Sequence, residues 1–216
     1  MITIYGRATS SNVQLVMWML AELGLDYERL DYGHNFGGTD TREFRAMNPM
    51  GRVPVMRQTF PDDDDLIMFE SGAIARYLLH RYGAASFRPD EPVARARLDS
   101  WAEWMKVTFA PAFAQPIFWT LLNYPKGEGG AAVKDAAQAL KPLARILNYR
   151  LADGPWLAGT DFTFADIWVG HLLYRYNVLD FPKAETPWLD AYYARLTRRP
   201  AFAEHVMVDF EVLRRV

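Results

Sequence analysis

All β-type runs of this sequence lie before residue 83, and this asymmetry most constrains the fold. In the first 82 residues, four short runs rich in apolar residues alternate with segments of helical periodicity. From residue 93 onward only helical patterning remains, broken by prolines and glycines. Because each kind of element buries its apolar face against a layer of its own, the pattern predicts a mixed α/β domain followed by an all-α domain.

The boundary between the domains is predicted at residues 83–92, which contain glycine, proline and charged residues without apolar periodicity. The two domains therefore cover residues 1–82 and 93–216. In the first domain the pattern gives a βαβ unit and then a ββα unit. Its predicted strands cover 2–5, 25–30, 53–56 and 66–69, and its predicted helices cover 13–23, 41–47 and 71–81. The predicted helices of the second domain cover 93–118, 131–151, 164–178, 188–196 and 201–208.

Composition excludes several classes of protein. Half of the 216 residues are hydrophobic and the net charge is −2, which excludes a disordered chain and a broad basic surface for nucleic acid or membranes. The absence of cysteine excludes disulfides, thiolate metal sites and a cysteine nucleophile, and the four histidines show no ligand spacing. The first residues lack a signal-peptide pattern, and no apolar run approaches about 18 residues. We therefore expect a cytoplasmic protein with no metal and no membrane partner.

Three junctions between a strand and a helix carry polar residues that a ligand could use. Ser10, Ser11 and Asn12 stand between the first strand and the first helix. These residue types are ordinary helix N-caps, but hydroxyls and free N–H groups at a helix N-terminus also favour an anion. From the residues alone, both interpretations remain open.

The other two junctions also offer groups that could bind a ligand. Pro54 gives up a hydrogen-bond donor inside a β run, which indicates an edge strand or a cis bond that exposes the main chain of Val53 to an extended ligand. Glu70 and Ser71 follow the fourth strand, where Ser71 is a candidate N-cap and Glu70 could face a ligand amine. Because ligands collect outside strand ends in mixed folds, the three junctions together predict one binding site.

With these residues in place, the sequence resembles the cytosolic glutathione S-transferase superfamily. The matching segments are Asn-Pro-x-Gly-Arg-Val-Pro over residues 48–54 and Glu-Ser-x-Ala-Ile-x-x-Tyr-Leu over residues 70–78. The resemblance covers essentially the whole chain. It implies a thioredoxin-like βαβαββα domain followed by an all-helical domain, glutathione as co-substrate, transfer of its sulfur to an electrophilic apolar small molecule, and a homodimer.

The resemblance also implies roles for single residues. Val53 would pair its main chain with the cysteinyl part of glutathione, and Pro54 would be the cis proline typical of the fold. Glu70 and Ser71 would hold the γ-glutamyl amine and carboxylate.

At the glycine end of glutathione this sequence departs from the family pattern. Arg52 stands where many relatives have Gln or Lys. Thr39 stands where many relatives have His, Lys or Gln for the glycine carboxylate.

Four residues are candidates for activating the thiol of glutathione. Ser10 matches the hydroxyl of serine-type members and ranks first. Ser11 and Asn12 follow, because some bacterial relatives use an asparagine at this junction. Tyr5 ranks last, near the place of the tyrosine in tyrosine-type members.

The second domain is predicted to supply a folding element and a substrate pocket. Thr163 and Asp166 form the pattern of a capping box, to which no catalysis is assigned. The aromatic residues dense in 101–119 are predicted to be mostly core, with a few lining an apolar pocket for the electrophile. The alternatives on the same fold are a glutathione-binding or protein-interaction module, and a glutathione-dependent isomerase, dehalogenase or peroxidase.

Overall fold

The computed structural model describes residues 1–124 and 130–214, and the chain divides into two compact units. The first unit comprises Met1–Ala84 with Glu204–Val208, and the second comprises Ala85–Ala203 with Asp209–Val216. The division at residue 84 lies within the predicted linker, whereas the predicted domain limits themselves stay a prediction. Helical periodicity could not indicate that 204–208 belong to the first unit.

A four-stranded sheet is the frame of the first unit. Its strands β1 (Ile2–Tyr5), β2 (Glu28–Leu30), β3 (Val55–Gln58) and β4 (Leu66–Phe69) lie in the order β2-β1-β3-β4. β1 is parallel to β2 and antiparallel to β3, and β3 is antiparallel to β4. A parallel pair needs a crossover, which helix α1 (Ser11–Glu22) provides, while β3 and β4 form a hairpin across the four aspartates at 62–65.

Helix α1 forms much of the core of the first unit. It packs against helix α3 (Ser71–Tyr82), and a short helix α2 (Arg42–Met47) precedes β3. Eight consecutive residues of α1, from 13 to 20, are buried, so the helix is enclosed on several sides and not on one face alone. Gln14 is the polar member of this run, and its side-chain amide donates to the carbonyl of Ala8 at 3.0 Å.

Two predicted strands differ from the observed ones. β2 begins at Glu28 and not at residue 25, and β3 begins at Val55, directly after a proline that has no N–H for the ladder. The sheet order places β3 between two strands, which excludes the edge-strand interpretation of Pro54. The Val53–Pro54 bond is cis, which confirms the other interpretation.

The chain after residue 84 is helical, as the pattern predicts. The predicted helix 93–118 runs on to residue 123, and two π-helical segments, Met105–Phe109 and Ala114–Trp119, interrupt it. Pro111 and Pro116 fall in this stretch and each removes an N–H donor, which accounts for the change of period. The helices are α4 (Pro92–Trp104), α5 (Ala110–Phe113), α6 (Thr120–Asn123), α7 (Gly130–Arg150), α8 (Phe164–Gly170), α9 (Leu173–Val178), α10 (Pro187–Leu196) and α11 (Pro200–His205).

The capping box at α8 is confirmed and reaches further than its four residues. The buried carboxylate of Asp166 accepts hydrogen bonds from the N–H groups of Thr163 at 2.8 Å and Leu157 at 3.0 Å, and from the hydroxyl of Tyr192 at 3.0 Å. Burial nevertheless outweighs these bonds and raises the pKa of Asp166 to about 6. The predicted helix 164–178 is two helices, because the chain turns at residues 171–172.

Candidate functional site

The loop between β1 and α1 holds Ser10 in place through its main chain alone. Ser10 donates its N–H to the carbonyl of Arg7 at 3.1 Å, and its carbonyl accepts from Gln14 N–H at 2.8 Å. The residue is 8% exposed and occupies the N-cap position, but its hydroxyl makes no capping bond and has no protein partner in the described chain. A Cβ on Gly6 would lie 2.5 Å from Val13 Cγ2, so the tight approach of this loop to α1 requires glycine.

Asn12 and Ser71 connect the first and third junctions. The Ser71 hydroxyl donates to Asn12 Oδ1 at 3.2 Å, and the two residues lie in the first turns of α1 and α3. The contact therefore brings two helix N-termini together, whose free N–H groups and dipoles favour an anion. Ser71 is the first residue of α3 and Glu70 holds the N-cap position, so the prediction that Ser71 is the N-cap was wrong.

Glu70 has an unusual main-chain conformation. Its φ of 66° lies in the left-handed region that non-glycine residues rarely adopt. Its carbonyl accepts from Ile74 N–H at 2.9 Å, which fixes it to the start of α3, while its side chain is exposed. Such strained residues cluster at ligand sites, where the conformation holds a side chain ready for the ligand.

The loop before β3 is held by Asn48. The buried side chain of Asn48 accepts from Met50 N–H at 3.0 Å and donates to the carbonyl of Arg52 at 2.7 Å. Across residues 1–124 and 130–214, the main-chain N–H and C=O of Val53 form no hydrogen bond. The loop thus offers Val53 as a rigid, extended pairing partner beside the cis proline.

One small cavity, of about 80 Å³, brings the junctions together. It includes six of the nine predicted site residues, but not Ser10, Ser11 or Thr39. Thr39 lies beside the loop, since its carbonyl would be 2.9 Å from a Cβ on Gly51. The volume is far below the roughly 300 Å³ of a small-molecule pocket, so it fits one end of an extended ligand. The lining residues are Asn12, Asn48, Arg52, Val53, Pro54, Glu70 and Ser71.

Asn48 is the lining residue that the sequence reasoning missed. Its position before Pro49 was the available signal, since an asparagine before a proline favours a turn that the asparagine side chain closes by hydrogen bonds to the main chain.

Tyr5 lies in different surroundings from the other candidates. Its ring packs edge-on against Tyr32 at a centroid distance of 5.4 Å. Arg57 donates hydrogen bonds to the carboxylate of Asp65 and to the phenol oxygen of Tyr5, and these bonds raise the pKa of Arg57. The Tyr5 phenol therefore lies beside the guanidinium of Arg57 on β3. Tyr5 does not line the cavity.

The second unit contains a larger cavity of about 810 Å³. Trp101 and Leu98 line it together with charged side chains that include Arg97, Arg150 and Asp161, so it is not the purely apolar pocket expected for an electrophile. The pocket for the electrophile stays a prediction. The buried aromatics Phe109, Phe113 and Phe118 belong to the core, as expected for most of that group.

Two further findings concern metals and membranes. Within the described parts of the chain, no group of three histidine, aspartate or glutamate side chains is placed to hold a metal ion. None of the helices described is both long and apolar enough to cross a membrane.

Comparison with known proteins identifies the family. Models of the glutathione S-transferase N-terminal and C-terminal domains match residues 4–86 and 101–200. Glutathione S-transferase GstB of Escherichia coli K12 is 34% identical over 96% of this chain and 99% of its own length, and glutathione S-transferase 3 of Zea mays is 31% identical over 95% and 93%. The theta class glutathione S-transferase of Xanthomonas axonopodis pv. citri, solved with glutathione bound, superposes with a TM-score of 0.87 at 37% identity over 96% of this chain and 98% of its own. The chain therefore belongs to the glutathione S-transferase family.

Proposed function

We propose that this chain is a glutathione transferase that activates the thiol of glutathione and conjugates it to an electrophilic, apolar small molecule. The observation that carries the proposal is the single cavity that gathers Val53, Glu70 and Ser71. Glutathione offers a peptide main chain, an ammonium group and a carboxylate in an extended arrangement. The unpaired main chain of Val53, the carboxylate of Glu70 and the N-terminus of the helix that begins at Ser71 complement these groups in turn.

Ser10 is the residue proposed to activate the thiol. A free thiol with a pKa of about 8.5 is only about 3% ionised at neutral pH, and the thiolate is the nucleophile. Lowering the pKa by about two units, or roughly 3 kcal/mol, makes the thiolate the major form. The uncommitted hydroxyl of Ser10, donating to sulfur at the N-terminus of α1, supplies a charge-assisted hydrogen bond of suitable strength.

The electrophile and the assembly complete the proposal. The all-helical domain, residues 93–216 in the predicted division, is proposed to supply the electrophile site. The protein is proposed to act as a homodimer, as the resemblance implies, and as a cytoplasmic enzyme.

The proposal is tested by measuring glutathione binding by calorimetry and thioether formation with an aryl halide. We expect both in the wild type, and we expect Glu70→Gln to raise KM for glutathione roughly 10-fold through loss of a charged hydrogen bond. Glu43→Gln, an exposed carboxylate in α2, is the matched control and should leave KM unchanged. A protein that binds glutathione without any turnover over a wide panel of electrophiles would instead be a binding module, and absence of binding would refute the proposal.

A further inference from the structure

Arg7 lies beside the site but is not part of the cavity described above. It follows Gly6 at the end of β1, and its N–H donates to the carbonyl of Tyr32 at 3.2 Å. A Cβ on the buried Gly33 would be 3.3 Å from Arg7 Nη1, 3.4 Å from Thr39 Cγ2 and 3.5 Å from Val53 Cγ1. The guanidinium, Thr39 and Val53 are therefore immediate neighbours around one point of the fold.

The charge of Arg7 has no counter-ion among the residues that the structure describes. Its Nε is buried and forms no hydrogen bond, and no ion pair of Arg7 is found in the parts of the chain that the structure describes. Burial lowers the pKa of Arg7, and no acidic side chain offsets that effect. A guanidinium nitrogen that has lost water without gaining an acceptor is costly, and an anionic ligand that accepts a hydrogen bond from this group offsets that cost.

The other arginines near this point are differently placed. Arg29 is paired with Asp31 and also donates to the carbonyl of Gly6 at 3.0 Å. Arg45 and Arg52 have exposed side chains, so they need no ligand to satisfy them. Among these four arginines, Arg7 is half-buried and has no ion pair with a described residue.

We propose that Arg7 binds the glycine carboxylate of glutathione and supplies the positive charge that Thr39 lacks at this end of the site. The inference rests on the proposed function, because it assumes that glutathione is the ligand. Val53 is common to the two ends of the site: Glu70 and Ser71 lie with it in the small cavity, and Arg7 and Thr39 lie with its side chain around Gly33. A tripeptide paired with the main chain of Val53 would thus direct its first residue toward Glu70 and its last toward Arg7. A guanidinium suits this role because its fork matches a carboxylate.

The position also links recognition of the co-substrate to its activation. The carbonyl of Arg7 accepts the N–H of Ser10 at 3.1 Å, so the cation and the proposed thiol-activating hydroxyl belong to one hydrogen-bonded turn.

The test compares glutathione with its glycine amide, which has the same thiol and one carboxylate fewer. We expect the wild type to bind glutathione roughly 10- to 100-fold more tightly than the amide in calorimetry, the range of one hydrogen-bonded charge pair. Arg7→Gln should weaken binding of glutathione alone and bring the ratio close to one. Arg7→Lys, which keeps the charge, should retain part of the preference.

Controls separate this role from structural and rival roles. Arg45→Gln, at an exposed arginine outside the cavity, should keep the wild-type ratio, whereas Arg52→Gln, at a cavity residue, tests the rival assignment of the carboxylate to Arg52. Arg7→Gln should melt no lower than the wild type without ligand, because it removes an uncompensated cation. Arg7→Met, with its long apolar stem, serves as a second neutral variant should the glutamine fold poorly.

Three results would overturn the inference: equal wild-type affinity for the two peptides, equal weakening of both peptides by Arg7→Gln, or loss of the preference in an Arg45 or Arg52 variant only. A wild type that binds neither peptide would refute the proposed function as well, whereas equal binding of both leaves that function intact.

Discussion

Ser10, Asn12 and Ser71 are polar residues of one site, but their side chains differ in what they already bind. Asn12 and Ser71 are bonded to each other, so they are used in holding α1 against α3. The Ser10 hydroxyl has no such bond, although its main chain is bonded on both sides. A group that is fixed in position and free to donate is what a thiolate needs, which favours Ser10 over Asn12.

Replacement of Ser10 tests this distinction. Ser10→Ala should lower kcat/KM roughly 10- to 100-fold and raise the pKa of the bound thiol by one to two units, since a hydrogen bond to the charged sulfur is lost. The pH dependence of turnover and the ultraviolet absorbance of the bound thiolate measure the two effects. Ser11→Ala is the matched control, and a shift of the pH profile in Ser11→Ala or Asn12→Ala in place of Ser10→Ala would transfer the role to that residue.

The residues that could be predicted from the sequence are those that local chemistry determines. Pro54 is marked by its own missing donor, and the Glu70–Ser71 pair by its place between a strand and a helix. Arg7 appears in the sequence only as a basic residue after a strand. Its proposed role depends on Thr39 and Gly33, which are distant in sequence and come close to Arg7 only in the folded chain.

At the scale of elements, buried caps outside the site hold the helical part together. Asp166 starts α8 and also accepts from Tyr192 of α10, while Asn148 of α7 accepts from the N–H groups of Trp188 and Leu189 at 3.0 and 3.1 Å. These side chains satisfy donors at the starts of two helices. The box at Asp166 was visible in the sequence as a local motif, whereas the cap by Asn148 joins residues 40 and 41 positions apart and was not.

The Asp166 cap predicts an unusual dependence of stability on pH. The pKa of Asp166 is about 6 in the folded chain, against 3.8 for an unburied aspartate. Between these two pH values, folding is therefore accompanied by uptake of a proton. The contribution of the carboxyl group to stability is therefore greatest below about pH 4 and is lost as the pH rises through 6, by about 3 kcal/mol at most. Denaturant unfolding should show the advantage of wild type over Asp166→Asn to be larger at pH 4 than at pH 7.

A matched control removes the effect of other titrating groups. The exposed Asp161, changed to Asn, should keep the same difference from wild type at both pH values. If the difference between wild type and Asp166→Asn is also constant, the carboxyl group does not gain a proton on folding.

At the scale of the whole molecule, the order of α/β and all-α segments was predictable, because apolar residues recur every two residues in strands and every 3.6 residues in helices. The family confirms that architecture. Two features were not predictable in this way. Segment 204–208 returns to the first unit, and the long helix from 92 to 123 changes period twice, since both depend on contacts or donors beyond the local apolar pattern.

The edge strand β4 offers a surface for the proposed homodimer. Ile67 and Phe69 alternate along the edge strand β4 and are 44% and 39% exposed, so both project from the same face of the sheet. Exposed apolar side chains in a row mark a surface for a partner, and a second copy of the chain is the proposed partner.

Light scattering should give a mass of twice 24.8 kDa. Ile67→Asp should halve that mass, because a carboxylate cannot be buried there without a counter-ion. Val212→Asp, at another exposed apolar residue, should leave it unchanged. A wild-type mass of 24.8 kDa would reject the dimer, and a dimeric Ile67→Asp variant would remove β4 from its interface.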